Sequence, residues 1–331
     1  MQYSLLKYDE NSQFFNVGDN IQSLAAKQFL PRVDSYINRE ELGDYKGEET
    51  SIILNGWFTH NAANWVPSEK INPLFVSFHI NNTAAPLMLS PAGIAYLKKH
   101  EPIGCRDQYT TDLLQSKGIK AYFTGCLTLT LDNYKVADRE RCEDVFIVDP
   151  LYGYTTVRKI TRNYKTILRS FQRGKILELG KRKKHLNNFI DQELWNSAIH
   201  INQEPPANTY THEEKFKMAD DLLKKYAKAK LVITSRIHCA LPCLAMGTPV
   251  IFINGFETFV DSCRFEGILD LFNRIDINTT TGEWTSNFGL ETKIDENTSV
   301  VNFEKHHELA NRLKEICNNF ISKKNANLIK K

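Results

Sequence analysis

The stretch LVITSRIHCALPCLAMGTPVIFIN, residues 231–254, decides the fold. Leu231 to Thr234 is a short apolar run rich in β-branched residues, which reads as a buried strand. Ser235 to His238 turns the chain into a helix that ends at Gly247, a residue free to take the left-handed conformation of a helix stop. Pro249 to Asn254 is a second buried strand. Two such strands joined through a helix imply a parallel pair, and parallel pairs belong to α/β layers with helices on the sheet faces.

The same alternation runs outward in both directions. Upstream, strands are predicted at Tyr3 to Tyr8, Ser51 to Asn55, Leu74 to Ile80 and Asp144 to Val148. A helix capped by Asp19 or Asn20 carries Ile21, Leu24, Ala25 and Phe29 on one face and stops at Pro31. Another helix spans Ser90 to His100, and a strand–helix–strand unit follows from Ile103, with Asp107 as N-cap and Gly118 at the helix end. A strand near Ala198 to Asn202 precedes a helix from Thr211 to Ala229, opened by a Thr211/Glu214 capping box. A last amphipathic helix bears Leu309, Leu313, Ile316 and Phe320, followed by a lysine-rich tail expected to fray.

At 331 residues the chain exceeds the usual size of one domain. The prediction is an α/β protein of two Rossmann-like domains facing a cleft: residues 1–140, residues 141–305, and a C-terminal helix and tail over 306–331. In doubly wound sheets, ligands sit at the carboxyl ends of the strands. The composition, 42% apolar and 24% charged, is ordinary for a globular protein and excludes wholesale disorder. No apolar run is long enough to span a bilayer, and Asp9 and Glu10 come too early for a signal peptide, so a cytoplasmic protein is expected. Seven cysteines without a CxxC pair read as reduced thiols, and no metal is predicted.

The net charge of +3 conceals a polarised distribution. Between Arg158 and Lys184 there are eleven Lys or Arg and one acid, Glu178, so this window carries +10 and the rest of the chain −7. Ile160, Tyr164, Ile167, Leu168 and Phe171 make a helical apolar stripe within it, with basic residues, Arg162 among them, on the other faces. The favoured reading buries that stripe in the protein's own core. The competing reading docks it on an anionic membrane face. A nucleic-acid partner is not expected, because the remaining chain is acidic and holds no binding motif.

Chemistry is sought directly after strands. Thr234-Ser235-Arg236-Ile237-His238 joins a strand to a helix N-terminus, whose unpaired N–H groups and partial positive charge favour anions. Arg236 could grip a phosphate or carboxylate with its fork, and His238 titrates near neutral pH. The alternative is an arginine paired to an acid and a histidine that only caps. Arg106-Asp107 holds the equivalent place in the first half, as a second cation or as a structural cap and ion pair. The loop Asn16 to Asn20 has one glycine and no dinucleotide fingerprint, and no P-loop occurs anywhere, yet its backbone could hold an anion or a sugar hydroxyl. Trp57 suits stacking on a sugar ring or packing of its own loop, and His79 suits a ligand or a satisfied core position.

Six segments together resemble the polysaccharide pyruvyl transferase family: NVGDNIQSLAAKQF (16–29), GWF (56–58), PLFVSFHI (73–80), IGCRDQYTTDLLQSKGI (103–119), GCLTLTL (125–131) and VITSRIHCALPCLAMGTPVIFI (232–253). The resemblance implies a glycosyltransferase-B-like fold and transfer of a pyruvyl group from phosphoenolpyruvate. It implies as product a cyclic ketal across two hydroxyls of a sugar in a surface glycan or its lipid-linked precursor, with no cofactor. Arg236 and His238 would then be catalytic, and Arg106, Ser235, Asp19, Asn20, Trp57 and His79 substrate-binding. One departure is Cys239, where such motifs commonly have glycine. A nucleotide-sugar-dependent glycosyltransferase on the same scaffold is the alternative, separated by which donor yields product.

Overall fold

In the computed structural model, which describes residues 2–8, 13–161, 164–207, 210–256 and 262–329, the strands fall into two six-stranded sheets. The first contains β1 (Gln2–Lys7), β2 (Ser35–Asn38), β3 (Thr50–Phe58), β4 (Ile71–Ile80), β5 (Ile103–Cys105) and β6 (Ala121–Phe123), in the order β2-β1-β3-β4-β5-β6. Every pairing in it is parallel. The second contains β7 (Val145–Val148), β8 (Ile199–Ile201), β9 (Leu231–Thr234), β10 (Val250–Asn254), β11 (Asn273–Ile277) and β12 (Trp284–Ser286). Its order is β12-β11-β10-β9-β7-β8, parallel except for the β11–β12 edge. Both sheets therefore repeat one doubly wound order, second-first-third-fourth-fifth, although the sequence shows no repeat. Each has its switch point beside its first strand, between β1 and β3 and between β7 and β9.

The helices of the first half are α1 (Val17–Lys27), α2 (Ala85–Met88), α3 (Pro91–Lys99) and α4 (Gln108–Ser116). Those of the second are α5 (Val157–Ile160), α6 (Tyr164–Gln172), α7 (Lys181–Leu186), α8 (Gln192–Ser197), α9 (His212–Lys228), α10 (Ile237–Met246) and α11 (His306–Ile329). Local signals placed several of them well. Asp107 caps α4 by accepting the Thr110 N–H at 2.9 Å, and the Thr211/Glu214 box opens α9. Gly247 stops α10 at φ +70°. The cap of α1 differs from expectation: Asn16, not Asp19 or Asn20, accepts the Gly18 N–H at 3.0 Å. The helix thus starts one turn earlier, which puts Asp19 and Asn20 inside its first turn.

The two sheets share a core. Ile21 and Ala25 of α1 pack with Leu222 and Tyr226 of α9 and with Leu241 and Leu244 of α10 in one buried cluster. Helix α11 follows the second sheet in sequence but returns to the first. Leu309 lies against Gly125, Lys314 pairs with Asp132 at 2.6 Å, and the Arg312 guanidinium sits over the Tyr122 ring. Its Leu313 and Cys317 are fully buried in the shared cluster, and its backbone stays helical through Ile329, beyond the point where fraying was expected.

The basic window departs most from the favoured reading. Ile160 is buried, but Tyr164, Ile167, Leu168 and Phe171 are exposed. Arg162 lies outside the described residues. No helix among the described residues is long and apolar enough to cross a membrane.

Because α11 completes a core rather than decorating it, Leu313→Ala should cost about 2–5 kcal/mol, as truncation of a fully buried leucine does. Denaturant unfolding of the intact chain checks this, and a loss below about 0.5 kcal/mol would mean that α11 is dispensable.

Candidate functional site

A cleft of about 400 Å³ lies where the carboxyl ends of both sheets converge. Its walls come from loops following strands of each half. Asn16 and Asp19 follow β1, Trp57 and His60 come from the end of β3, and Asn81 and Arg106 follow β4 and β5. From the second sheet come Tyr152 after β7, Gln203 and Glu204 after β8, Arg236 and His238 after β9, and Arg264 after β10. Such a volume is in the range that holds small-molecule ligands.

Arg106 has 1% of its surface exposed. Its Nε is 3.5 Å from an Asp107 carboxylate oxygen, but Nε and one Nη lack a hydrogen-bond partner. Burial lowers its pKa, against the attraction of Asp107, yet a guanidinium remains charged at neutral pH. A buried cation with unused donors in the cleft wall is an anion site in waiting. Its neighbour Asp107 is engaged elsewhere. One carboxylate oxygen lies 2.6 Å from His79 Nδ1, the other caps α4. His79 is buried behind Arg106 and does not line the cleft, so it acts as a support for Asp107.

His238 occupies the first turn of α10, whose N-terminus no side chain caps. Among the described residues its Nε2 has no hydrogen-bond partner. Burial, and then Arg106, Arg264 and Arg236, hold its pKa well below the usual histidine value, so the resting imidazole is neutral. The α1 entry presses against it. A Cβ at Gly18 would lie 3.1 Å from both His238 Cβ and Nδ1, a tight contact that would make the imidazole give way slightly, so glycine there eases the approach. Asp19, one residue on, is pushed the other way. Burial raises its pKa despite Arg39, His60 and Arg106 nearby. Gln22 donates to one of its oxygens at 3.0 Å, and Arg39 stands 3.6 Å from the other.

Arg236 reaches the cleft, but its fork is partly taken. Nε meets Asp149 at 3.0 Å, one Nη meets Glu204 at 2.8 Å, and the guanidinium lies 3.9 Å over the Tyr152 ring. A bidentate grip through both of those nitrogens is thus already spent on protein carboxylates. Asp149 makes its contact from a positive φ of 43°, unusual for a non-glycine residue and typical of functional loops. Ser235 is fully buried. Its hydroxyl donates to the Ile253 carbonyl at 2.7 Å and accepts the Leu151 N–H at 2.8 Å, which fixes the β7 loop rather than a ligand. Asn20 is buried within α1 and away from the cleft walls. Trp57 does face the cleft, held between His60 at 4.4 Å and the Arg39 guanidinium at 5.0 Å. Trp65 instead stacks in the core against Phe78.

A family model for polysaccharide pyruvyl transferase matches residues 16–255. The chain belongs to this family. Membership supports a role in pyruvyl transfer to polysaccharide and a transferase activity. No curated protein matches the chain. Among solved structures it is similar to a functionally uncharacterized protein from Klebsiella pneumoniae subsp. pneumoniae, with 12% identity and a TM-score of 0.44 over 84% of this chain and 93% of that one.

For this pyruvyltransferase-family chain, sequence reading missed Tyr152, Glu204 and Arg264 in the cleft wall. Glu204 follows a strand that had been foreseen, so the rule of looking after strands could have found it. Tyr152 and Arg264 sit in loops with no local signature; Arg264 reaches Tyr152 Oη through one Nη at 2.5 Å. Among the described residues no group of His, Cys, Asp and Glu is arranged to hold a metal ion.

The suppressed basicity of His238 has a measurable cost. Below the ordinary histidine pKa of 6.5 the unfolded chain takes up a proton that the folded chain refuses. Stability is therefore full above that pH and falls as the medium is acidified through it. His238→Gln should flatten part of this fall in urea titrations run at about pH 8 and about pH 5. An unchanged pH slope would show that the imidazole is not held neutral.

Proposed function

We propose that this chain transfers the enolpyruvyl-derived group of phosphoenolpyruvate onto two hydroxyls of one sugar in a surface polysaccharide or its precursor, forming a cyclic pyruvate ketal. The two sheets are proposed to be the halves of a glycosyltransferase-B-like arrangement, with the donor held mainly by the second half and the acceptor by the first. The observation that carries the reading is the set of cationic groups in the cleft, above all Arg106, whose Nε and one Nη make no hydrogen bond among the described residues. Phosphoenolpyruvate bears a phosphate and a carboxylate, so it needs two cationic grips. Arg106 supplies one, and the uncapped α10 N-terminus with Arg264 and the remaining Nη of Arg236 supplies the other.

The chemistry then follows from charge and protonation. A proton is added to the C3 methylene carbon of the donor, and the cationic C2 that results is attacked by the first sugar hydroxyl, which loses its proton. The C2–O bond to phosphate breaks, phosphate leaves, and the second hydroxyl closes the ring with loss of its own proton. Two hydroxyl protons are released; one restores the proton given to C3 and the other leaves with phosphate, so the step balances without a redox partner. Asp19, whose burial favours the protonated form, is suited to supply C3. Neutral His238 is suited to take a hydroxyl proton. When the anionic donor binds, it offsets the part of the depression that the arginines add to burial, so the base gains strength when it is needed. Trp57 offers its face to the sugar ring.

The deciding experiment follows phosphate released from phosphoenolpyruvate with a panel of sugar acceptors, beside nucleoside diphosphate released from sugar nucleotides. Phosphate release with ketal formation supports the reading; release of nucleoside diphosphate instead marks a glycosyltransferase. Arg106→Gln should lower kcat/KM for the donor roughly 10- to 100-fold, the worth of a charge-assisted contact. It should also lower thermal stability, because the buried carboxylate of Asp107 loses this counter-charge and keeps only His79, so activity is compared well below the variant's melting transition. Full activity in this variant would remove Arg106 from donor binding. Turnover should also survive EDTA, because arginines and a helix N-terminus take the part of a cation at the departing phosphate; complete and reversible loss would refute that account.

A further inference from the structure

Eight of the twelve most exposed large apolar residues of the described chain lie between Val157 and Leu179, seven of them inside the window that carries +10. Their placement is inverted for a soluble protein. On α6 the buried side chain is Ser170, while Tyr164, Ile167, Leu168 and Phe171 face outward. At 100° per residue these four form one stripe, with Lys165 and Arg169 on its flank. Leu177, in the turn after α6, is 90% exposed, and Arg173 and Lys175 beside it are exposed as well. A helix with aromatic and aliphatic residues outward, cations along the side and a serine inward is the form of an interfacial membrane element.

From this patch we infer that residues 157–184 form a docking surface for an anionic lipid bilayer. The apolar stripe enters the headgroup boundary and the flanking lysines and arginines meet acidic headgroups. Charge complementarity favours this occupant over a second copy of the chain, which would bring the same +10 face to face with itself. The segment is also tied to the cleft at both ends. Arg158, Lys159 and Arg182 line a second cavity of about 570 Å³ that shares Tyr152, Glu204 and Arg236 with the cleft. Docking therefore presents the cleft to the membrane surface; on the reading proposed above, an acceptor carried on a lipid would be met there.

The test uses the full chain and vesicles of phosphatidylglycerol mixed with phosphatidylcholine, against vesicles of phosphatidylcholine alone, in a sedimentation assay at low and high salt. The expected result is binding to the anionic vesicles that weakens with salt. Replacing Lys165, Arg169, Arg173 and Lys175 together by Gln should weaken it roughly tenfold or more. Leu168→Ser with Phe171→Ser should abolish the salt-resistant part. All these side chains are exposed, so circular dichroism and thermal melting should match the parent and exclude misfolding. No binding to anionic vesicles, or binding that neither variant alters, overturns the inference. So does a dimer in light scattering that the Leu168/Phe171 variant dissolves while vesicle binding is absent, which would assign the face to a second copy. Because vesicle binding needs no substrate, its failure leaves the proposed chemistry standing, and failure of the chemistry leaves it untouched.

Discussion

The structure depends on the packing of α1 against α9 and α10. This contact joins the two sheets into one core, and it brings the start of α1 onto the start of α10 at Gly18 and His238. Apolar burial at roughly 25 cal/mol per Å² supplies the energy, and a missing side chain eases the approach. A Cβ at position 18 would press on His238 and Asn16, which would have to give way beside the cleft that His238 lines with Asp19 and Arg106. Fold and site rest on the same close approach.

Electrostatics give the site its character. The cleft collects Arg106, Arg236 and Arg264 with the acids Asp19 and Glu204, and Glu204 pairs with Arg236 together with Asp149 from the neighbouring cavity. Arg106 keeps Asp107 as its counter-ion, yet its Nε and one Nη make no hydrogen bond among the described residues, so donors remain for an anion. Burial, and then Arg106, Arg264 and Arg236, depress His238, whereas burial raises Asp19.

Much of this was legible in the residues. The β9–α10–β10 unit, the cap at Asp107, the box at Thr211 and the position of Arg236 and His238 after a strand follow from short-range rules, and they hold. The α/β class with mostly parallel sheets follows from the same alternation. What escaped depends on tertiary placement. Asn16, Asp19 and Asn20 lie within five residues, and such polar candidates for the cap cannot be ranked without the chain's entry direction. Ser235 and Arg236 share a loop, yet one faces inward to Ile253 and the other into the cleft, a difference no spacing encodes. Strand β2 is four residues at a sheet edge, too short to show a period. The stripe on α6 shows the reverse failure: its periodicity is real, but periodicity does not reveal which side faces the protein.

The return of α11 to the first sheet bears on biogenesis. Leu127 and Leu129 of the first half share a buried cluster with Leu313 and Cys317, so during synthesis they emerge long before the side chains that pack with them. Until α11 follows, the nascent chain carries exposed apolar surface that chaperones and proteases can recognise.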